Sequence, residues 1–198
     1  MSVPEPRARH RGAPGLAVCS ADVVEIAAFR GRASEVESLA ASHGVRLPAL
    51  GEARFVAADT LALSVRPERW LLLSPPVSTG EAVRDAERIF AGLGAVLDHS
   101  SGLAAFYLAG PAWREVLKRG CRLDLDPRVF PARSAAATII AQVPATLAAL
   151  PRGLLLLTPA TTVRHLREWL AATAGPFGFA SRPDVKVGRE LLSGDAST

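Results

Sequence analysis

The sequence contains few cysteines and almost no lysine. Its two cysteines, Cys19 and Cys121, lie far apart and have no second Cys or His at ligand spacing. A zinc or dithiol redox site is therefore not predicted. Lys118 and Lys186 are the only lysines, and the arginines that supply most of the net charge of +4 are scattered. This distribution argues against nucleic-acid binding, which needs clustered basic residues with interleaved aromatic residues.

Long apolar segments are also missing. Apolar runs such as Gly153 to Leu157 are far shorter than the roughly 20 residues that span a bilayer. The segment from Pro4 to Gly15, just before Leu16 to Cys19, is polar and proline-rich, so it does not provide the apolar stretch of a signal peptide. The sequence therefore predicts a cytoplasmic protein without a membrane partner.

A glycine-rich phosphate loop is absent as well. Such a loop follows a strand directly, so that backbone amides can reach the phosphate. Gly92-Leu93-Gly94 instead follows a predicted helix and lacks a third glycine. We therefore expect no flavin or nicotinamide to be bound by this chain itself.

Aliphatic residues, in contrast, are plentiful. Hydrophobic residues make up 49% of the chain, which is enough for a sizeable core. A mobile arm rich in proline and arginine is predicted at 1–15, an α+β domain at 16–180 and a flexible polar tail at 181–198. The domain is predicted to consist of two halves, at about 22–99 and 102–174.

The clearest local patterns lie in the first half. Ser34 and Glu37 have the spacing of a capping box, which predicts a helix beginning at Ser34. The alternation from Thr60 to Arg66 predicts a strand with one buried face. Pro67 and Glu68 then predict a hairpin turn after that strand.

The second half repeats the order of elements seen in the first. It begins with a predicted strand from Leu103 to Ala109 and ends with a predicted helix from Thr161 to Thr173. Each half follows the order strand, helix, hairpin, helix, which is typical of a split βαβ unit. The predicted architecture is therefore two tandem ferredoxin-like units.

Two polar stretches invite a catalytic interpretation. Asp98-His99-Ser100-Ser101 places an acid, an imidazole and two hydroxyls side by side, but neighbouring residues of a strand point to opposite faces. A polar turn at a subunit contact is the alternative. Asp124 and Asp126 resemble a carboxylate pair, although their position before Pro127 also fits a solvated loop or a turn cap.

The three tryptophans, Trp70, Trp113 and Trp169, also allow two interpretations. They are candidates for a ligand pocket, but each has apolar neighbours, so core or interface packing is the expected role. We assign no catalytic, cofactor-binding or metal-binding residue from the sequence. The residues predicted to lie at subunit contacts are Trp70, His99, Ser100, Trp113 and Arg128.

Three stretches together resemble the gamma subunit of heterotetrameric sarcosine oxidase. They are Thr60 to Leu73, Val96 to Leu117 and Lys118 to Pro131, in that order. The third stretch, with its Gly-Cys, Asp-Leu and Phe-Pro pairs, is the most specific. The first two are shared more loosely with the folate-binding fold of the glycine-cleavage T-protein. The similarity covers most of the chain, from about Asp22 to Phe179.

The resemblance implies a subunit without a complete active site of its own. In that family the complex demethylates sarcosine to glycine oxidatively, giving hydrogen peroxide and either formaldehyde or methylene-tetrahydrofolate. The resemblance places FAD, FMN, NAD, zinc and tetrahydrofolate in the alpha, beta and delta partner subunits. It also implies a T-protein-like fold here. The alternative is a stand-alone folate-binding module, although the surroundings of Asp22 do not match the catalytic Asp of the T-protein.

Overall fold

The computed structural model describes residues 15–76, 80–110, 112–178, 180–181 and 184–187. The predicted arm, apart from Gly15, lies outside the described residues, as do positions 182–183 and 188–198 of the predicted tail. In chain order the elements are β1 (Gly15–Ser20), β2 (Asp22–Ala28), α1 (Ala33–Ser42), β3 (Ala53–Ala57), β4 (Thr60–Arg66), β5 (Arg69–Ser74), α2 (Glu81–Phe90), β6 (Gly94–Asp98), β7 (Leu103–Ala109), α3 (Trp113–Leu117), β8 (Ala135–Ile140), β9 (Val143–Leu150), β10 (Gly153–Pro159), α4 (Val163–Ala174), β11 (Ala180–Ser181) and β12 (Val185–Lys186).

The strands form two sheets. The first has the order β3-β4-β5-β2-β6, and all neighbours in it are antiparallel. The second has the order β11-β1-β7-β10-β9-β8, with β12 also paired to β1. Only the pairings of β11 and β12 with β1 are parallel, so the second sheet is mixed. The chain is therefore an α+β protein with one antiparallel and one mixed sheet.

Three apolar cores separate four layers. The core between the sheets contains Leu61 and Leu73 from the first sheet and Leu155 and Leu157 from the second. The outer face of the first sheet packs against α1 and α2. The outer face of the second sheet packs against α3 and α4. The two sheets therefore lie face to face, with a helical layer outside each.

The predicted half-burial of β4 is wrong. Leu61 and Leu63 face the second sheet as expected, but Ala62 and Ser64 on the opposite face are buried as well. The reason is that this face lies on the side of the first sheet that carries the helical core, since Ala62 pairs with Leu72, which packs against that core. Ser64 tolerates burial because its hydroxyl donates to the carbonyl oxygen of Arg69 at 2.9 Å, with the carbonyl oxygen of Arg66 3.3 Å away.

The start of α1 also differs from the prediction. The helix begins at Ala33, and Arg32 occupies the N-cap position without a side-chain hydrogen bond to the backbone. The predicted capping box of Ser34 and Glu37 is therefore wrong. Instead, Arg32 and Glu35 form an ion pair at 2.8 Å across the first turn. The helix ends as predicted before Gly44, whose φ of 77° suits a residue without a Cβ.

Part of the predicted flexible tail is ordered. Val185–Lys186 pairs with β1, and Val187 is buried in the core between the sheets. The strand β1 itself begins at Gly15, inside the predicted arm, and pairs along its length with β7. The strand β3, which forms one edge of the first sheet, was not predicted from the sequence.

Candidate functional site

A buried carboxylate on the central strand β2 forms the core of the candidate site. Glu25 is only 7% exposed, yet both of its oxygens have partners. Its Oε2 lies 2.8 Å from Nε2 of His99, and its Oε1 accepts a hydrogen bond of 3.1 Å from Arg69. We refer to Glu25, Arg69 and His99 as the ionic cluster.

Three elements bring this cluster together. Glu25 stands opposite Leu71 of β5 and Leu97 of β6 in the register of the first sheet. Arg69 begins β5, directly after the hairpin turn. His99 follows β6, and its backbone N–H donates to the carbonyl oxygen of Val23 at 2.8 Å. The cluster therefore ties β2 both to β5 and to the segment that leads into the second sheet.

The ionic cluster keeps Glu25 ionised. Burial by itself raises the pKa of a carboxyl group, but the hydrogen bonds from His99 and Arg69 outweigh it, so the pKa of Glu25 lies below its ordinary value. Because both oxygens are already occupied, Glu25 is suited to hold structure and not to act as a general base. A Glu flanked by Val23, Val24 and Ile26 is the sequence signal that could have identified it.

A cleft of about 150 Å³ opens beside the ionic cluster, at the mouth of the space between the sheets. Its walls include Leu63 and Leu71 from the first sheet and Leu103 and Thr146 from the second. Arg66 lies at its edge. The cleft is small and combines apolar walls with charged side chains, which is suited to a single side chain of a partner more than to a cofactor.

The stretch from Asp98 to Ser101 forms a turn, as one of its two interpretations predicts. Asp98 accepts a hydrogen bond from the backbone N–H of Ser100 at 2.8 Å. Hydrogen bonds from Ser100 also lower the pKa of Asp98. The Ser100 hydroxyl accepts the N–H of Val23 at 3.0 Å, while His99 turns to Glu25. Because His99 pairs with Glu25 and not with Asp98 or Ser100, these three side chains do not form a catalytic triad.

The carboxylates of Asp124 and Asp126 also cap turns, as expected. Asp124 accepts the backbone N–H of Asp126, and Asp126 accepts the backbone N–H of Arg128, both at 2.9 Å. Arg128 adds two side-chain hydrogen bonds to Asp126, which lower the pKa of that carboxyl group. Beside them Val129 is 62% exposed. This turn thus presents a fixed guanidinium and an apolar side chain to solvent.

Trp70 and Trp113 are core residues, and Trp169 is partly buried against the same core as Trp113. Trp70 is 3% exposed and donates its indole N–H to the carbonyl oxygen of Pro48 at 3.0 Å. Trp113 is 4% exposed and packs beneath α3. Both are used within the chain's own core, which removes them from the predicted contact residues. His99, Ser100 and Arg128 stay in that set, because they are at least partly exposed.

Within the described part of the chain, no three His, Cys, Asp or Glu side chains lie close enough to hold a metal ion. Cys19 is buried, and burial raises the pKa of its thiol to about 12, so it stays protonated and unreactive. Among the described helices, none has the length and hydropathy needed to cross a membrane.

Comparison with curated proteins finds sarcosine oxidase gamma subunits. The chain is 35% identical over 111 residues to one from an Arthrobacter species, and this match covers 56% of the chain and 54% of the relative. It is 32% identical over 147 residues to one from Corynebacterium sp. strain U-96, covering 72% of the chain and 70% of the relative. The chain thus spans about half of the first relative's length. No protein-family model matches the chain.

Solved structures agree with these relatives. A chain of the heterotetrameric sarcosine oxidase from Corynebacterium sp. U-96, solved with pyrrole 2-carboxylate, superposes with a TM-score of 0.74 at 27% identity. The match covers 88% of this chain and 91% of that one. The glycine cleavage aminomethyltransferase T from Bartonella henselae gives a TM-score of 0.66 at 14% identity, over 87% of this chain and 48% of the enzyme. The second likeness shows that the fold is shared with the T-protein.

Proposed function

We propose that this chain, which belongs to the sarcosine oxidase gamma subunit family, is the non-catalytic gamma subunit of a heterotetrameric sarcosine oxidase. The main support is the structural match over 91% of a chain of the Corynebacterium complex. The described residues form a packed scaffold whose most buried carboxylate is already ion-paired. A scaffold of this kind suits a subunit that supports chemistry carried out elsewhere.

In this proposal the redox chemistry belongs to the partner chains. The complex oxidises sarcosine with oxygen, giving glycine and hydrogen peroxide. The one-carbon unit leaves as formaldehyde, with consumption of one water, or is transferred to tetrahydrofolate to give methylene-tetrahydrofolate. FAD, FMN, NAD, zinc and tetrahydrofolate would be held by the alpha, beta and delta subunits. The assembled protein would be cytoplasmic.

We further propose that the scaffold consists of two ferredoxin-like units, at about 22–99 and 102–174. In the first unit the order β4-β5-β2-β6 is the antiparallel order of a split βαβ unit, with β3 added at the edge. In the second unit β7, β9 and β10 take the corresponding positions. The fourth position is filled by β1, from the beginning of the domain at 16–180.

The proposed subunit contact lies at the turn that contains Arg128. This turn combines a guanidinium held by Asp126 with the exposed side chain of Val129, a pairing of charge and apolar surface that is common at interfaces. His99 and Ser100, beside the cleft at the ionic cluster, form a second proposed contact.

The proposal is tested by co-expressing the alpha, beta and delta chains with and without this chain. We expect sarcosine-dependent hydrogen peroxide formation and a stable complex only when it is present. Full activity and an unchanged complex without it would show that the proposal is wrong. Titration of the purified chain with tetrahydrofolate separates the folate-module alternative, which predicts binding heat where our proposal predicts none.

A further inference from the structure

A second cleft contains three arginines and no carboxylate. It has a volume of about 330 Å³ and is lined by Arg46, Arg54 and Arg133 together with apolar side chains that include Phe55 and Leu150. Within the described part of the chain, none of the three guanidinium groups has a hydrogen bond or an ion pair. Elsewhere in the same chain, Arg32, Arg69, Arg88 and Arg128 each have a carboxylate partner. Three unpaired guanidinium groups around one cleft are a local excess of positive charge that suits an anionic occupant.

The cleft follows the free edge of β3. Ala53 to Val56 line it from this end strand, which pairs with β4 and with no other of the described strands. Side chains alternate along a strand, so Arg54 and Phe55 lie on opposite sides of that edge. Among the described residues, no backbone hydrogen bond joins the outer edge of β3 to another element beyond Ala53. Unpaired backbone groups at such an edge can accept an additional extended strand.

The cleft is flanked on both sides by arginines from other elements. Arg46 lies on the loop that follows α1, on the helical side of the first sheet. Arg133 lies on the side of the second sheet and has a left-handed backbone with φ of 76°. Its backbone is held there by two hydrogen bonds of 2.7 Å, from its N–H to Ala149 and from the N–H of Ala53 to its carbonyl. Because the first bond joins Arg133 to β9 and the second joins it to β3, which lie in different sheets, the base of this arginine is positioned before any ligand arrives.

The floor of the cleft is apolar. Leu61 and Leu150 are buried there, and Phe55 is partly exposed beside Pro151. An occupant made only of small inorganic anions would leave this surface unused. Charge at the rim and apolar surface at the floor together fit a polypeptide that carries both carboxylates and a hydrophobic side chain.

We infer that this cleft binds an extended acidic segment of a partner polypeptide, which lies along the free edge of β3 with its carboxylates on Arg46, Arg54 and Arg133 and an apolar side chain against Phe55 and Leu150. The inference does not depend on which complex the chain joins. It concerns a surface on the opposite edge of the first sheet from β6 and the ionic cluster.

The test uses the full chain and a fluorescent five-residue peptide of the order Glu-Asp-Phe-Glu-Asp, followed by anisotropy at low salt. A peptide with Gln and Asn in place of the acids is the first control, and an acidic peptide with N-methylated backbone amides is the second. We expect each control peptide to bind at least tenfold more weakly. Equal binding of the neutral peptide would overturn the inference, and equal binding of the N-methylated peptide would overturn the strand-edge geometry.

Substitutions locate the site. Arg46→Gln, Arg54→Gln and Arg133→Gln are each expected to weaken binding of the acidic peptide about fivefold or more. Arg167→Gln, on the exposed face of α4, is the matched control and should bind as the unsubstituted chain does. Circular dichroism melting of each variant separates lost binding from lost folding. Unchanged binding in all three cleft variants would show that the peptide binds elsewhere.

Competition experiments show whether the cleft prefers an acidic peptide to other anions. Inorganic phosphate and a single-stranded oligonucleotide are added to the labelled complex at equal concentrations of charge. We expect the unlabelled acidic peptide to displace the probe at a concentration at least tenfold lower than either of them. Displacement by phosphate or by the oligonucleotide at the same or a lower concentration would contradict a polypeptide occupant.

Discussion

The ionic cluster shows how one residue can hold several parts of this chain together. Glu25 connects its own strand to β5 through Arg69 and to the segment after β6 through His99. Burial of a carboxylate is costly unless both oxygens find charged or polar partners. Here both do, so removal of the charge should cost more than removal of a charge at the surface.

Glu25→Gln is therefore expected to lower the free energy of unfolding by about 1–2 kcal/mol. The amide has the shape of the carboxylate but forms weaker hydrogen bonds with Arg69 and His99. Urea unfolding followed by circular dichroism measures the loss. Glu115→Gln is the control, because its ion pair with Lys118 is largely exposed, and it should change stability by less than about 0.5 kcal/mol. Equal effects of the two substitutions would contradict a structural role for Glu25.

The same cluster predicts a dependence on pH. The pKa of Glu25 in the folded chain lies below its ordinary value of 4.5, so the unfolded chain binds a proton more readily. The stability that Glu25 contributes is therefore complete above pH 4.5 and is lost as the pH falls through the folded pKa. Urea unfolding between neutral and acid pH should show the difference between the unsubstituted chain and Glu25→Gln shrinking on acidification. A difference that grows as the pH falls would contradict the assigned direction.

At the scale of the elements, the sequence identified most strands and helices but missed those whose partners are distant. The strand β5 follows the hairpin turn that Pro67 and Glu68 predicted. In contrast, β1 exists because its backbone pairs with β7, almost ninety residues later, and it follows a segment rich in proline and arginine. The strand β3 contains Arg54 and two alanines, a weak local signal that pairing with β4 overrides.

Burial of β4 was mispredicted for a related reason. An alternation of apolar and polar residues predicts a strand with one buried face. The first sheet, however, is covered on both faces, on one by the second sheet and on the other by helices. No local pattern reveals a second covering layer. The ionic cluster was missed in the same way, because it depends on side chains from three elements that meet only in the folded chain.

Close packing of β10 against β7 gives a prediction at this scale. A Cβ added to Gly153 would overlap the carbonyl oxygen of Leu108 and lie 2.7 Å from the Tyr107 hydroxyl. Because the obstructing oxygen belongs to the backbone, Gly153→Ala should lower the free energy of unfolding by about 2–4 kcal/mol. Gly175→Ala is the control, since nothing lies within 4 Å of its added Cβ. Equal changes in the melting temperature of both variants would show that β10 and β7 do not approach each other so closely.

The ordered part of the tail gives another prediction. Val187 is 1% exposed and packs between the sheets next to the pairing of β12 with β1. Val187→Ser should therefore cost about 1.5–3 kcal/mol of unfolding free energy, the value of a buried aliphatic side chain. Lys186→Ser, at the exposed neighbouring position, should be nearly neutral. Chemical denaturation of both variants checks this. A neutral Val187→Ser would restore the prediction of a flexible tail from 181 onward.

At the scale of the whole molecule, two sheets packed face to face leave the interior filled with apolar side chains. Buried polar side chains are few among the described residues, and those that exist, such as Glu25 and Ser64, are hydrogen-bonded. Its surface presents the cleft with three arginines, the turn of Arg128 and the cleft at the ionic cluster. These features are suited to contacts with other polypeptides, which agrees with the proposed role of a subunit.

In the proposed function this chain works as one member of a mixed complex. The most direct measurement is native mass spectrometry of the material that copurifies with a tagged form of this chain when alpha, beta and delta chains are produced with it. We predict one species whose mass equals one copy of each of the four chains and their bound flavins. Recovery of the tagged chain alone or as a homo-oligomer, in the presence of folded partners, would contradict the account.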